Sequence, residues 1–164
     1  MAIMNKNVTV GISDMALSAN PDDLIITYSL GSCLGVTVFD AEAGVGGMVH
    51  CQLPNCTTED KSRAISNPAM FVDTGVSLLF QKFFELGGSR SRMIVKAAGC
   101  AAILDQNGFF RIGERNFTLF RKLLWKNNIL LKGSETGGDV SRTLVLEMST
   151  GRTLIRSKGE EREI

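Results

Sequence analysis

Residues 27–54 read TYSLGSCLGVTVFDAEAGVGGMVHCQLP and contain the chain's one histidine, His50, together with Cys33 behind a flexible Gly31-Ser32. Residues 34–39 form a short run rich in β-branched and aromatic side chains, and 48–53 form another. Between them Asp40-Ala41-Glu42-Ala43-Gly44-Val45-Gly46 is turn-like, so the pattern predicts a β-hairpin. If Phe39 pairs near Gly46, His50 lies across from Gly35. Because side chains alternate between faces, Cys33 then shares the face of Gly35, and sulfur and imidazole become diagonal neighbours about 7–8 Å apart at the backbone. Gly35 leaves the space between them empty. A slip of one residue would send His50 to the other face.

Nucleophilic catalysis is the chemistry that wants this pair. A thiol becomes a good nucleophile once a neighbouring imidazole takes its proton, and the same imidazole can return a proton to a leaving amine. A third group usually orients the base through its other ring nitrogen. Thr27, at the end of the run Leu24-Ile25-Ile26, is the candidate. Backbone N–H groups around Gly31, Ser32 and Cys33 are the natural donors to a developing oxyanion. On spacing alone, a buried cysteine is also read as a small apolar core residue.

Thr27, the turn Leu30-Gly31-Ser32-Cys33, and Gly46-Gly47-Met48-Val49-His50 followed by Leu53-Pro54 together resemble the signature of the chemoreceptor glutamine deamidase family, CheD. Ile112-Gly113-Glu114-Arg115-Asn116 is similar to a second motif of that family, and Thr150-Gly151-Arg152 falls where the family has a late turn. The resemblance spans roughly residues 7 to 156. The chain departs from it at Ala98-Gly99-Cys100 and at Ser141-Arg142, where the family has Gly-Gly and Gly-Arg. The resemblance implies a hydrolase that converts glutamine side chains of chemoreceptor cytoplasmic helices to glutamate with release of ammonia. It further implies Cys33, His50 and Thr27 as catalytic residues, no cofactor or metal, and a CheC-like phosphatase as partner. Gly31, Ser32, Gly47 and Asn116 are the candidate substrate or oxyanion contacts.

The 164 residues suffice for one domain with a real core. With 18 basic against 17 acidic residues, nothing argues for nucleic acid or an anionic membrane surface. No apolar run has the length of a membrane span, and the start MAIMNKNVTV lacks the order of a signal peptide, so a cytoplasmic protein is expected. Cys33, Cys51, Cys56 and Cys100 form no evident disulfide framework.

Strands are expected over 8–12 and 24–29, with a loop over 18–23 between them. After the hairpin, the polar stretch 55–66 reads as an exposed, mobile loop. Asn67-Pro68 has the order of a helix start, a capping side chain and then proline at the first helical position. That helix is expected to reach Leu86, with Phe71, Val72, Val76, Leu79, Phe80 and Phe83 inward, before Gly87-Gly88. A buried strand over 91–98 leads to the small-residue turn Gly99-Cys100-Ala101-Ala102, and Asn107-Gly108 marks another turn. A second helix follows from 112, with Asn116 as its structural cap or as a substrate contact. Residues 129–132 read as a strand, 134–142 as a polar loop bordering the site, and 143–148 with 153–157 as a hairpin. Hairpins outnumber βαβ units, which gives a single-domain layered α/β sandwich with mixed, largely antiparallel strands over 1–157. The charged residues 158–164 read as a disordered tail.

Rival uses of the same residues are weaker. Zinc held by Cys33, His50, Cys51 and Cys56 has no familiar spacing, and His50 and Cys51 would point to opposite faces of one strand. Gly44, Gly46 and Gly47 are not followed by a Lys-Ser/Thr pair, which argues against a phosphate loop. Two other readings stay open: a non-catalytic regulatory module that binds a CheC-like phosphatase, and an unrelated cysteine peptidase.

Overall fold

The computed structural model describes residues 5–103 and 108–164. Among the described residues, ten strands and three α-helices build three layers, with two five-stranded sheets face to face and the helices packed on the outside of the second sheet. The first sheet runs β1 (Lys6–Thr9), β3 (Asp23–Leu30), β8 (Arg142–Glu147), β9 (Thr153–Ser157), β10 (Glu160–Glu163) in spatial order. The second runs β2 (Asp14–Ser18), β5 (Val45–Cys51), β4 (Leu34–Asp40), β6 (Ile94–Gly99), β7 (Leu131–Thr136). Only β1–β3 and β6–β7 are parallel among the pairings between these strands, so the expected layered α/β sandwich with largely antiparallel strands is what forms.

β4 lies at the centre of its sheet and is buried along its whole length. Its alternation divides the core in two. Val36 and Val38, with Val49 and Cys51 of β5, face the helices, where they meet Val72, Val76, Leu79 and Phe83 of α2 (Val72–Glu85) and Phe120 and Leu124 of α3 (Ile112–Lys126). Phe39 and Met48 face the other sheet and meet Ile25, Leu144, Leu146 and Ile155. Burying side chains of this size is worth about 1.5–3 kcal/mol each, which is what holds the layers together.

The β4–β5 hairpin has the expected register, with Phe39 opposite Gly46 and Gly35 opposite His50. Asp40 closes it. Its carboxylate accepts from the N–H groups of Glu42, Ala43 and Ser89 and from Arg92 Nε, and the Arg92 guanidinium holds its pKa down at about 2.

Several expectations are corrected. The first strand covers 6–9 rather than 8–12, and a second strand, β2, appears where none was assigned. The stretch 55–66 is polar but carries a 3₁₀ turn at Thr58–Asp60 and a short helix, α1 (Lys61–Ser66). Asn67-Pro68 opens a 3₁₀ turn, Pro68–Met70, without a side-chain cap, because α2 can begin only after Leu53 has bridged to Phe71; its first residue is Val72. β7 extends to Thr136 because it pairs in parallel with β6 as far as Gly99–Thr136. The charged end is ordered: residues 160–163 pair antiparallel with β9, and Arg162 pairs with Glu135 of the other sheet. Asn107, half of the expected Asn107-Gly108 turn, lies outside the described residues.

Candidate active site

Three backbone features bring the predicted residues to one end of the sandwich. β3 carries Thr27 on its face toward the second sheet, and its ladder with β8 is interrupted between Thr27 and Leu30. Ser29, within that interruption, has φ +57°. β5 carries His50 on the face toward β3. Cys33 stands one residue ahead of β4 and packs against the cluster between the sheets, so sulfur and imidazole occupy the same layer. No hydrogen bond joins them, and His50 Nε2 has no hydrogen-bond partner among the described residues.

Thr27 and His50 are both completely buried, and Thr27 Oγ1 lies 2.7 Å from His50 Nδ1. The same hydroxyl donates to the Val10 carbonyl at 2.7 Å. A hydroxyl has one hydrogen to give, and two oxygens at 2.7 Å require it between them, so the contact with Nδ1 is made by a ring N–H donating to Oγ1. That assigns the neutral Nδ1–H tautomer and leaves the lone pair on Nε2. Burial pushes the imidazole pKa down to about 4, so the ring is neutral at physiological pH.

Cys33 is half-buried. Burial raises its pKa, and its own backbone N–H beside the sulfur opposes that with a smaller effect. At rest the pair is therefore thiol and neutral imidazole, a form in which an imidazole lone pair is free to accept a proton.

Cys33, Gly31 and Ser32 line a cavity of about 1230 Å³. The other walls include Cys100 and Ala101 after β6, Phe109, Phe110 and Arg111 before α3, and Gly137-Gly138 after β7. Ser29, Cys100 and Arg111 on this wall all have positive φ, at +57°, +54° and +52°. Non-glycine residues in the left-handed region carry strain and gather at functional sites. Gly99 is required for a different reason: at φ +100°, a Cβ would stand 2.3 Å from the Cys33 carbonyl oxygen. That carbonyl instead accepts from the Cys100 N–H at 2.8 Å, which pins the Cys33 backbone to the end of β6.

Two candidates lie elsewhere. Gly47 is on the helix-facing side of β5, where a Cβ would meet Leu17 and Leu79 at 2.8 and 3.1 Å; it is a packing glycine, away from the cavity. Asn116 does not cap α3. It is the fifth residue of that helix, fully buried, and the position before the helix is Arg111 in a left-handed conformation. Its Nδ2 donates to the carbonyls of Ser32 and Gln52 at 3.0 and 3.3 Å. The sequence reading missed the Val10 carbonyl, whose role rests on the parallel β1–β3 pairing, and Cys100, whose neighbour Gly99 was the available clue. Cys51 packs against Gly75 on the helix side and His50 faces Thr27, so strand alternation separates the two as zinc ligands.

A family model described as CheD chemotactic sensory transduction matches residues 52–157. The chain is 45% identical over 153 residues to a probable chemoreceptor glutamine deamidase CheD 1 of Syntrophus aciditrophicus, covering 93% of this chain and 95% of that protein. It is 40% identical to a probable chemoreceptor glutamine deamidase CheD of Solibacter usitatus, with 97% of this chain and 94% of that protein covered. A Pyrococcus horikoshii relative, also described as a probable chemoreceptor glutamine deamidase CheD, is 37% identical with 97% of both chains covered. These alignments extend past the family model to take in the Thr27–His50 segment, and on them this chain belongs to the CheD family.

Proposed function

We propose that this protein is a hydrolytic deamidase acting on glutamine side chains of chemoreceptors, with Cys33, His50 and Thr27 as its catalytic residues. The observation that carries the reading is the buried Thr27–His50 contact, which leaves the imidazole lone pair on Nε2 of a residue that shares its face with Cys33. Cys33 Sγ attacks the amide carbon as Nε2 takes its proton. Charge on the amide oxygen is met by backbone N–H groups at Gly31, Ser32 and Cys33, which border the cavity. His50 then protonates the departing ammonia, leaving a glutamyl thioester. Water, deprotonated by Nε2, cleaves the thioester, and glutamate and free Cys33 result.

Chemoreceptors as substrate follow from the names of the relatives. The partner in this reading is a CheC-like phosphatase, and the site of action is the cytoplasm. No helix among the described residues is long and apolar enough to cross a membrane.

The test is incubation of a chemoreceptor cytoplasmic fragment with native protein and with Cys33→Ala, followed by ammonia measurement and mass spectrometry. Native protein should release ammonia and raise the fragment's mass by about one dalton per modified glutamine; Cys33→Ala should do neither. Chain cleavage would indicate a peptidase, and equal ammonia from both proteins would overturn the assignment of Cys33. A CheC-like phosphatase that binds native and Cys33→Ala protein equally, with no ammonia from either, would favour the regulatory module.

A further inference from the structure

The β4–β5 ladder ends at the pair Leu34–Cys51, one residue short of Cys33 and one past His50. Beyond that pair the two chains turn to different neighbours. The N–H groups of Gln52 and Leu53 both donate to the Met70 carbonyl, while the carbonyls of Gly31 and Cys33 accept from Ala101 and Cys100. The backbone that carries the thiol and the backbone that follows the imidazole are thus free of each other where their spacing matters.

Asn116 rejoins them. Its amide nitrogen has two hydrogens, and the carbonyls it reaches are one from each side, Ser32 and Gln52. The side chain is fully buried and is delivered from the second turn of α3, a helix seated so closely that a Cβ at Gly113 would lie 2.5 Å from the Cys100 carbonyl oxygen. Asn116 Oδ1 has no hydrogen-bond partner among the described residues. A buried acceptor without a partner is a cost that an apolar residue would avoid, so the gain from this amide lies in its donor half.

We infer that Asn116 is a positioning residue that sets the separation of Cys33 Sγ and His50 Nε2 by tying Ser32 to Gln52. The inference rests on the thiol–imidazole reading above. It predicts a loss in the chemical step with little effect on substrate capture, because Asn116 is not part of the cavity wall. A misplacement of about 1 Å in such a pair costs roughly 10²-fold in rate.

The experiment uses the full-length protein with a chemoreceptor cytoplasmic fragment and compares Asn116→Ala, Asn116→Asp, Cys33→Ala and His50→Ala, each checked for folding by circular dichroism and thermal melting. Asn116→Ala should lose about 10²-fold in kcat with KM nearly unchanged. In Asn116→Asp the carboxyl, buried against two carbonyl oxygens, donates one hydrogen bond when neutral and none when ionised. Its activity relative to native protein should therefore be higher near pH 6 than near pH 8, at temperatures where both are folded. Should Asn116→Ala fail to fold, Asn116→Asp carries the test through that pH profile. If Cys33→Ala or His50→Ala keeps releasing ammonia, the thiol–imidazole reading falls. If both are inactive while folded Asn116→Ala keeps native kcat, or the Asn116→Asp ratio is flat with pH, the positioning role falls and the thiol–imidazole reading stands. Failure of both Asn116 variants to fold would make the residue a support of the whole domain and likewise overturn the inference.

Discussion

Thr27 spends its single hydroxyl hydrogen on Val10 and accepts from His50, and a change at this one oxygen therefore acts on both stability and tautomer. Thr27→Val keeps the volume but leaves the Val10 carbonyl and the ring N–H unpaired in the core. We expect a loss of about 1–3 kcal/mol in chemical denaturation and of at least ~10²-fold in kcat for ammonia release. Thr27→Ser should retain most of both. The protonation of the pair gives a second expectation. Cys33 has a raised pKa and His50 stays neutral down to about pH 4, so no thiolate–imidazolium pair forms at rest. Iodoacetamide alkylation of Cys33, followed by peptide mass mapping, should keep accelerating above pH 8 and show no plateau below neutrality. An early plateau would mean that an ion pair is present. The meeting of Thr27 with His50 was legible in the sequence, whereas the partners of Asn116 were not: asparagine favours helix caps, and only the fold shows the carbonyls of Ser32 and Gln52 within reach of its fifth position in α3.

The β4–β5 hairpin was legible because its turn and its two β-rich runs admit few registers, and burial of both faces penalises a slip. β2 was not, since Asp14-Met15-Ala16-Leu17-Ser18 lacks β-branched residues and becomes a strand only by pairing with β5. β10, four charged residues, resembles a solvated tail until β9 offers it a partner edge. Gly47 shows the same limit: a glycine permits close approach of a substrate, but alternation turns this one toward Leu17 and Leu79. The joint between β6 and Cys33 gives the prediction at this scale. Gly99→Ala forces a left-handed backbone and a Cβ into the Cys33 carbonyl. It should destabilise by about 1–3 kcal/mol in a denaturant titration and lower ammonia release beyond what the fraction unfolded explains. Native stability in this variant would show that β6 yields at no cost.

Across the molecule, His50 and Asp40 contribute to the response to acid, beside Glu135, whose carboxyl is held below its ordinary value by its hydrogen bonds to Arg162 and Arg142. His50 has a folded pKa of about 4 against an ordinary 6.5, so between those values the unfolded chain binds a proton that the folded protein refuses. Stability should fall as pH drops through that window, by at most about 3 kcal/mol. Asp40, held at about 2 against an ordinary 3.8, contributes stability above pH 4 that is lost as pH falls toward 2. Melting temperature measured from pH 7 to pH 3 should decline in both windows. His50→Gln should flatten the upper one, and an unchanged slope in that variant would contradict the neutral, buried ring. The layers themselves were readable in the sequence, because period-2 runs and two amphipathic helices fix what must be buried and hence a sandwich of sheets and helices. Sequence also supplied the shared face of the three candidate residues' neighbourhood, since alternation is a local rule that places Cys33, Gly35 and His50 on one face. Only the tertiary structure decided which nitrogen of His50 holds the proton, that Asn116 bridges two strand ends, and that the charged end closes the sandwich by pairing Arg162 with Glu135. Those outcomes depend on groups far apart in the chain meeting in the dry interior, where each donor must find its acceptor, and no local pattern encodes such meetings.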